Sequence, residues 1–423
     1  MKPLDRILVE IDDSYDDIVE TMIGMIRIPA LAPVNGGDGE SRKADYLQQF
    51  LSDFDEVRRI DVPDDSDPSV MRSNILARKI GKKPGTVWIV AHMDVVPTGD
   101  PELWDTPPFD PVLKDGRIYG RGTEDNGQSV ISSMFASRPF LSEELDGMSI
   151  GLAYVADEET TSRMGICHLL EMGCFSEDDV IFVPDWGSPN GSMVEIAEKN
   201  LVWLQFDVEG KTTHGSTPHL GLNAYAASTR LLCDLMDEFP KRFPLEDPMF
   251  RSPVSTFEPT KRPATVENIN TIPGNDSFSM DIRVLPTYSL DDVVSVAKEV
   301  AERNEKSTGA RITVTEVQRH VSGKASSLDT KGFKALSRAV ESVTGNAPVA
   351  VGVGGATCAN FFRAYGLDAY VWQCGGGTLH APNEYVEVSN IITDAKVFAT
   401  IFHVDIALLR PTKTAAIQPH QHI

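Results

Sequence analysis

Three short apolar runs in the first half of the chain each end in acid or histidine. Thr86-Val87-Trp88-Ile89-Val90-Ala91 runs into His92-Met93-Asp94. Residues Ser149 to Ala156 run into Asp157-Glu158-Glu159, and Val180 to Pro184 into Asp185. Apolar runs of this length, bounded by turn residues, read as buried strands. Helical patterns alternate with them across 86–185, which predicts an α/β fold: a mostly parallel sheet with helices on both faces. In such sheets reactive groups gather beyond the carboxyl ends of the strands. Three consecutive strands therefore aim histidine, aspartate and glutamate at one place, the pattern of a metal site.

The 423-residue length is enough for two or three domains. No stretch approaches 18 uninterrupted apolar residues, so no membrane span is expected. The N-terminal segment carries acids throughout and lacks the apolar core of a signal peptide. The five cysteines are odd in number and form no C-x-x-C pair, which fits reduced thiols in the cytoplasm. A net charge of -23 argues against nucleic acid and anionic membranes as partners.

Along the chain, Ile7, Ile11, Ile18, Met22, Met25 and Ile26 recur at helical spacing, which predicts one amphipathic N-terminal helix. Helices are also expected at Asn126–Ser137 and Ser162–Met172. The pattern changes near Lys199. A partly alternating strand at Leu201–Val208 is followed by an amphipathic helix from Leu222 to Phe239. A strand at Asp276–Val284, a helix at Leu290–Asn304 and a strand at Arg311–Val317 complete an α+β module of domain size. Helix–strand alternation then resumes through Phe333–Val343 and Asp368–Trp372, and a long helix at Val388–Leu409 closes the chain. We read 199–319 as a domain inserted into a catalytic domain formed by 1–198 and 320–423. The tail after Arg410, with His420 and His422, is expected to fray.

A dinuclear site needs a bridging carboxylate, terminal His and carboxylate ligands, and a base just outside the ligand set. Asp125 lies in Gly120-Arg121-Gly122-Thr123-Glu124-Asp125-Asn126-Gly127, whose glycines permit unusual backbone angles. Asp94 follows His92 by two positions, where its carboxylate can bond the imidazole N–H and orient the ring. Glu158 and Glu159 are adjacent, so on extended backbone one can ligate while the other faces substrate. His380 sits on the flexible, glycine-flanked loop Gly375-Gly376-Gly377-Thr378-Leu379-His380. Taken singly, each is an ordinary solvated turn residue or helix cap. Their sharing of one architecture carries the inference.

These motifs, AHMDVVP, GRGTEDNGQ, the acids Asp157–Glu159 and the loop with His380, resemble the dinuclear zinc aminoacylase and carboxypeptidase family. It includes acetylornithine deacetylase, succinyl-diaminopimelate desuccinylase, glutamate carboxypeptidase and related dipeptidases. The resemblance runs from about Ile18 to Ala407. It implies two Zn2+ per subunit, with Co2+ or Mn2+ as substitutes. His92, Asp125 and Asp185 would hold one ion and Asp125, Glu159 and His380 the other. Glu158 would be the general base and Asp94 the residue orienting His92. It further implies a cis peptide after Asp125, a homodimer formed through the inserted lid domain, and a small-molecule substrate. One departure is the run Asn126-Gly127-Gln128, where many members carry an acid or Met followed by Lys.

The resemblance also assigns roles in the lid. His214, in Thr213-His214-Gly215-Ser216-Thr217-Pro218, would donate to the oxyanion. Arg283 would hold a substrate carboxylate with its guanidinium fork, and Asn270 would assist it. Outside the lid, and read from its own residues and not from the resemblance, the loop Gly352–Thr357 precedes a helix, where Gly355 can offer backbone N–H groups to a carboxylate.

The chemistry that follows is hydrolysis of an amide bond in an N-acyl amino acid with a free carboxylate, by a metal-activated water with Glu158 as base. A dipeptidase or carboxypeptidase is the alternative, since both substrate types present a carboxylate to Arg283. A non-catalytic metal- or ligand-binding protein leaves Glu158 without a purpose. A scaffold that uses only the lid leaves the ligand set unexplained.

Overall fold

Thr86–His92 and Ser149–Val155 are buried at every residue. A strand covered on both faces has no solvent side, so its sequence is continuously apolar and does not alternate. In the computed structural model, which describes residues 2–404, these two strands lie side by side and parallel. The sheet order is Glu56–Pro63, Met71–Lys79, Ser149–Val155, Thr86–His92, Val180–Phe182, Ala369–Tyr370. The last four strands are mutually parallel, and the first two form an antiparallel edge. Side chains alternate across a strand, so Trp88 and Val90 pack with Ile166, Leu169 and Phe362, while Val87 and Ile89 face the opposite side. Helix Gln128–Ser137, buried along its whole length, packs against these strands and against helix Val388–His403.

Several elements differ from their expected bounds. The N-terminal pattern folds as two helices, Leu4–Asp12 and Tyr15–Ile26. The helix expected from Asn126 begins at Gln128, because Asp125 and Asn126 have non-helical backbone. The helix expected from Ser162 forms as two helical pieces, Arg163–Cys167 and His168–Glu171, the first kinked at Gly165. There Gly165 passes so close to the sheet that a Cβ on it would lie 1.8 Å from the Ala156 carbonyl oxygen. The final helix is described as far as His403. The remainder of the expected Val388–Leu409 helix and the tail with His420 and His422 lie outside the described residues.

The described residues divide into two compact units: 2–196, 325–351 and 357–404 form one, 197–324 and 352–356 the other. The second unit has a four-stranded antiparallel sheet in the order Thr256–Lys261, Asn275–Val284, Asn200–Glu209, Arg311–His320. Helices Ala224–Arg242 and Leu290–Thr308 cover it. Asn275–Val284 alternates between buried and half-exposed residues, as a strand with one covered face must. Its core includes Phe206 stacked on Phe278 at 4.8 Å. The segment 352–356 joins this unit through a bridge between Phe250 and Gly352, a link of about 100 residues that local sequence does not signal. The five cysteines are free. No helix of the described residues is long and apolar enough to cross a membrane.

Two predictions follow from the cores. Phe278→Ala is expected to destabilise the second unit by about 3–5 kcal/mol, read as a lowered denaturant midpoint. In the first unit, burial raises the Asp394 carboxyl to about 7 against the pull of the Cys374 N–H and Gln128 amide that bond it. A folded pKa above the unfolded one means that the folded chain binds the extra proton, so stability falls as pH rises from about 4 to about 7 and then levels off. Asp394→Asn is expected to reduce that slope in thermal melts taken across this range, and an unchanged slope would assign it to other groups.

Candidate metal centre

Because strands Ser149–Val155, Thr86–His92 and Val180–Phe182 are parallel neighbours, their carboxyl ends reach one edge of the sheet. His92 closes the middle strand. Asp157, Glu158 and Glu159 follow one neighbour and Asp185 follows the other. Met93 N–H donates to the Val155 carbonyl at 2.9 Å and extends the pairing to the edge of the site.

Asp125 joins this edge from the Gly-rich turn. Its Oδ1 lies 2.9 Å from His92 Nε2 and its Oδ2 lies 3.1 Å from His380 Nε2. Asp185 Oδ1 is 3.3 Å from His92 Nε2, and Glu159 Oε2 is 3.2 Å from His380 Nε2. Two donor groups therefore share one carboxylate: His92, Asp125 and Asp185, and Asp125, Glu159 and His380, with the ligand atoms of each group within 4.8 Å of one another. Glu158 belongs to neither group. Its Oε2 lies 4.0 Å from His92 Nε2, and its side chain is nearly buried. The peptide after Asp125 is cis.

The electrostatics are those of crowded, buried acids. Burial, then Asp185, raises Glu158 well above its ordinary value. Burial, then Asp125, raises Glu159 to about 7. Burial pulls His92 down, but Asp185 and Asp125 hold it well above 6.5. His380 is pushed up to about 10 by its bonds to Asp125 and Glu159. Four carboxylates and two imidazoles at one edge suit a pair of divalent cations, whose charge balances the acids and whose preferred donors are these N and O atoms. Glu159 Oε1, buried and without a hydrogen-bond partner, is a further donor that a cation would satisfy. The residues present fit a dinuclear metal centre.

The Asp94 carboxylate faces the His92 imidazole, but the Asp94 backbone makes the closer contact. His92 Nδ1 meets the Asp94 backbone carbonyl at 3.0 Å, with the carboxylate farther off at 3.6 Å. The Asp94 carboxylate instead accepts the N–H of Glu158 at Oδ1 (3.1 Å) and of Glu159 at Oδ2 (3.0 Å). It fixes the corner on which both glutamates stand. That corner is a turn entered through Asp157 at φ 64°, not extended backbone.

Residues that local reading passed over complete the support. Arg72, 1% exposed, bonds Glu40 with Nε and Nη2, bonds Asp64 at 2.9 Å and Asp157 at 3.2 Å, and lies 3.9 Å from Asp94. Lys43, buried and lowered to about 8 by that burial, donates to the Met93 carbonyl at 2.8 Å. Asn126 donates to Asp185 Oδ1 at 2.7 Å and to the Pro184 carbonyl at 2.8 Å. Gln128 bonds the Cys374 carbonyl and Asp394. The run Asn126-Gly127-Gln128 thus has a local purpose, in positioning Asp185 and anchoring the following helix.

The other expected site residues lie in the second unit. His214 is exposed, and its Nδ1 accepts the Ser216 N–H at 3.1 Å. Gly215 N–H bonds the Asn270 carbonyl at 2.7 Å, so His214 and Asn270 are neighbours. Arg283 is not free: Nε and Nη2 bond the two carboxylate oxygens of Asp281 at 2.7 and 3.1 Å, and Nη1 donates to the Gly354 carbonyl at 2.9 Å. Gly355 is exposed beside that carbonyl, and the helix after it, Cys358–Ala364, is capped by Thr357.

Residues 88–403 match the sequence profile of peptidase family M20/M25/M40. An uncharacterized metallohydrolase of Methanococcus maripaludis is 35% identical over 409 residues, covering 91% of this chain and 98% of that protein. A succinyl-diaminopimelate desuccinylase of Cereibacter sphaeroides is 29% identical over 392 residues, covering 89% of this chain and 95% of the other. Among solved structures, the dipeptidase Dug1p of Saccharomyces cerevisiae superposes with a TM-score of 0.75 at 17% identity, over 94% of this chain and 98% of that one. At that identity the likeness is one of fold.

Arg72 faces buried carboxylates from separate segments, so Arg72→Met leaves them uncompensated. A loss of about 3–5 kcal/mol is expected, measured by thermal unfolding. A melting temperature within a degree of the parent would show that the cluster relaxes without its guanidinium.

Proposed function

The chain belongs to peptidase family M20/M25/M40 and is a metallohydrolase of amide or peptide bonds, and on that premise we propose that it is a dinuclear zinc deacylase that removes the acyl group from an N-acyl amino acid with a free carboxylate. The observation that carries the reading is Asp125, which turns one oxygen toward His92 and the other toward His380.

When bound, the zinc pair lowers the pKa of a water toward neutrality and polarises the scissile carbonyl. Glu158, 4.0 Å from His92 and outside both donor groups, accepts the proton of the attacking water. It then delivers that proton to the leaving amine nitrogen, so one side chain serves as base and acid. Asp94 keeps Glu158 at its station through the backbone bond. Because Ser216 N–H donates to His214 Nδ1, a neutral His214 carries its proton on Nε2, the tautomer that can donate to an oxyanion. Arg283 meets the substrate carboxylate with the N–H groups that Asp281 and Gly354 leave unused, assisted by Asn270 and the loop at Gly355. The relative named a desuccinylase favours an acyl amino acid. A dipeptide presents the same carboxylate and is the reading to set against it. The second unit, with edge strand Arg311–His320 paired on one side only, is the proposed dimerisation surface. Free, buried Cys358 and Cys374 fit a reducing cytoplasm.

The deciding assay is amine release from N-succinyl and N-acetyl amino acids and from dipeptides, with zinc or cobalt supplied. Acyl amino acids are expected to turn over; dipeptides alone would make the protein a peptidase. Silence across the panel with metal bound would refute both the deacylase and the dipeptidase readings. Glu158→Gln is expected to retain metal and lose about 10²–10⁴ in kcat. His214→Ala is expected to lose about 10²–10³ in kcat with little change in KM. Near-parental turnover in either variant removes that residue from the mechanism.

A further inference from the structure

The two loops that carry Asp125 and His380 grip each other through a matched pair of buried glutamates. Glu124 precedes Asp125, yet its side chain leaves its own loop. Its Oε1 accepts the N–H groups of Gly376 at 2.7 Å and Gly377 at 2.9 Å. Its Oε2 accepts the Thr378 N–H at 2.7 Å and the Thr378 hydroxyl. Three successive backbone N–H groups around a carboxylate form an anion nest. The glycines have a steric purpose there, since a Cβ on Gly375 would lie 3.2 Å from Glu124 Oε1 and Gly377 has φ +89°. Glu384 makes the reverse grip from the His380 loop. Its Oε1 accepts the N–H groups of Glu124 (2.9 Å) and Asp125 (3.0 Å), and its Oε2 accepts Gly122 N–H (2.9 Å) and Arg121 Nη1 (2.7 Å). Both acids are buried. The small sheet that pairs Tyr385–Glu387 with Arg117–Tyr119 brings the loops together.

We propose that Glu124 and Glu384 are positioning residues that set the spacing between Asp125 and His380 and thereby build the second metal position. This rests on the dinuclear reading above. The two acids divide the work. Glu124 holds only the His380 loop, so it governs the ion that His380 binds. Glu384 holds the Asp125 turn, which serves both ions. A carboxylate is required at 124 because all three N–H groups can only donate, and an amide there would set its own NH2 against at least one of them.

The test is a titration of chelator-stripped full-length protein with Zn2+ by calorimetry, on the parent and on Glu124→Gln, Glu384→Gln, Thr378→Val and Thr378→Ser. Glu124→Gln is expected to weaken one of the two binding events by about 10- to 100-fold, the range seen when support of a metal ligand is removed, and to leave the other within a few fold. Glu384→Gln is expected to weaken both. Thr378→Val, which removes one donor of the nest, is expected to weaken the same single event more mildly, and Thr378→Ser to restore it. Two unchanged events in Glu124→Gln, or equal weakening of both, overturn the proposal. Should Glu124→Gln fail to fold, identical titrations for Thr378→Val and parent overturn it. A parent that binds fewer than two ions defeats the dinuclear reading itself, a different outcome.

Discussion

The carboxylate of Asp94 holds the Glu158 N–H with one oxygen and the Glu159 N–H with the other, and the Arg72 guanidinium stands 3.9 Å behind it. The site depends on this arrangement because it faces two ways. Toward the candidate metal centre it fixes Glu159, the proposed ligand, and Glu158, the proposed base. Away from it, the charge that Asp94 needs in order to accept two N–H bonds has to be stabilised out of water. An isolated buried carboxylate is costly, so Arg72 and Lys43 are buried with it. Arg72 in turn is shared with Glu40, Asp64 and Asp157, which joins the antiparallel edge of the sheet to the catalytic corner.

The same economy recurs on the other side of the site. There the charge of Glu124 is met by three backbone N–H groups and the Thr378 hydroxyl. Charged acceptors on backbone N–H groups form short, strong bonds, and they fix main chain more directly than a contact between side chains. Both Asp94 and the pair Glu124 and Glu384 act this way, so the ligands are positioned mainly through the backbone that bears them. That suits the proposed centre, where spacing would have to stay constant while water, substrate and product exchange.

Much of this was legible in the chain. The continuous apolar runs announced a parallel sheet because burial on both faces leaves no polar positions. The residues after them could be read as convergent because parallel neighbours end at one edge. The positions of Asp157, Glu124 and Glu384 beside the motifs were visible too, but their partners were not. Glu124 reaches residues 252 to 254 positions away, and Arg72 reaches Asp157 across 85. Such pairings follow from how strands and loops are stacked, which local periodicity does not encode. The glycines before His380 illustrate the loss. In the sequence they signify freedom, while in the fold they permit three N–H groups to close on one carboxylate.

The sequence by itself determined the sheet and the types and order of the candidate ligands, because strand burial and metal-donor chemistry depend on residue identity and short-range pattern. Only the tertiary structure decided that Asp94 grips backbone more closely than imidazole, that Arg283 already carries Asp281, and that two loops clasp each other by exchanged carboxylates. Hydrogen bonds act over about 3 Å, and which groups come that close across hundreds of residues is set by packing.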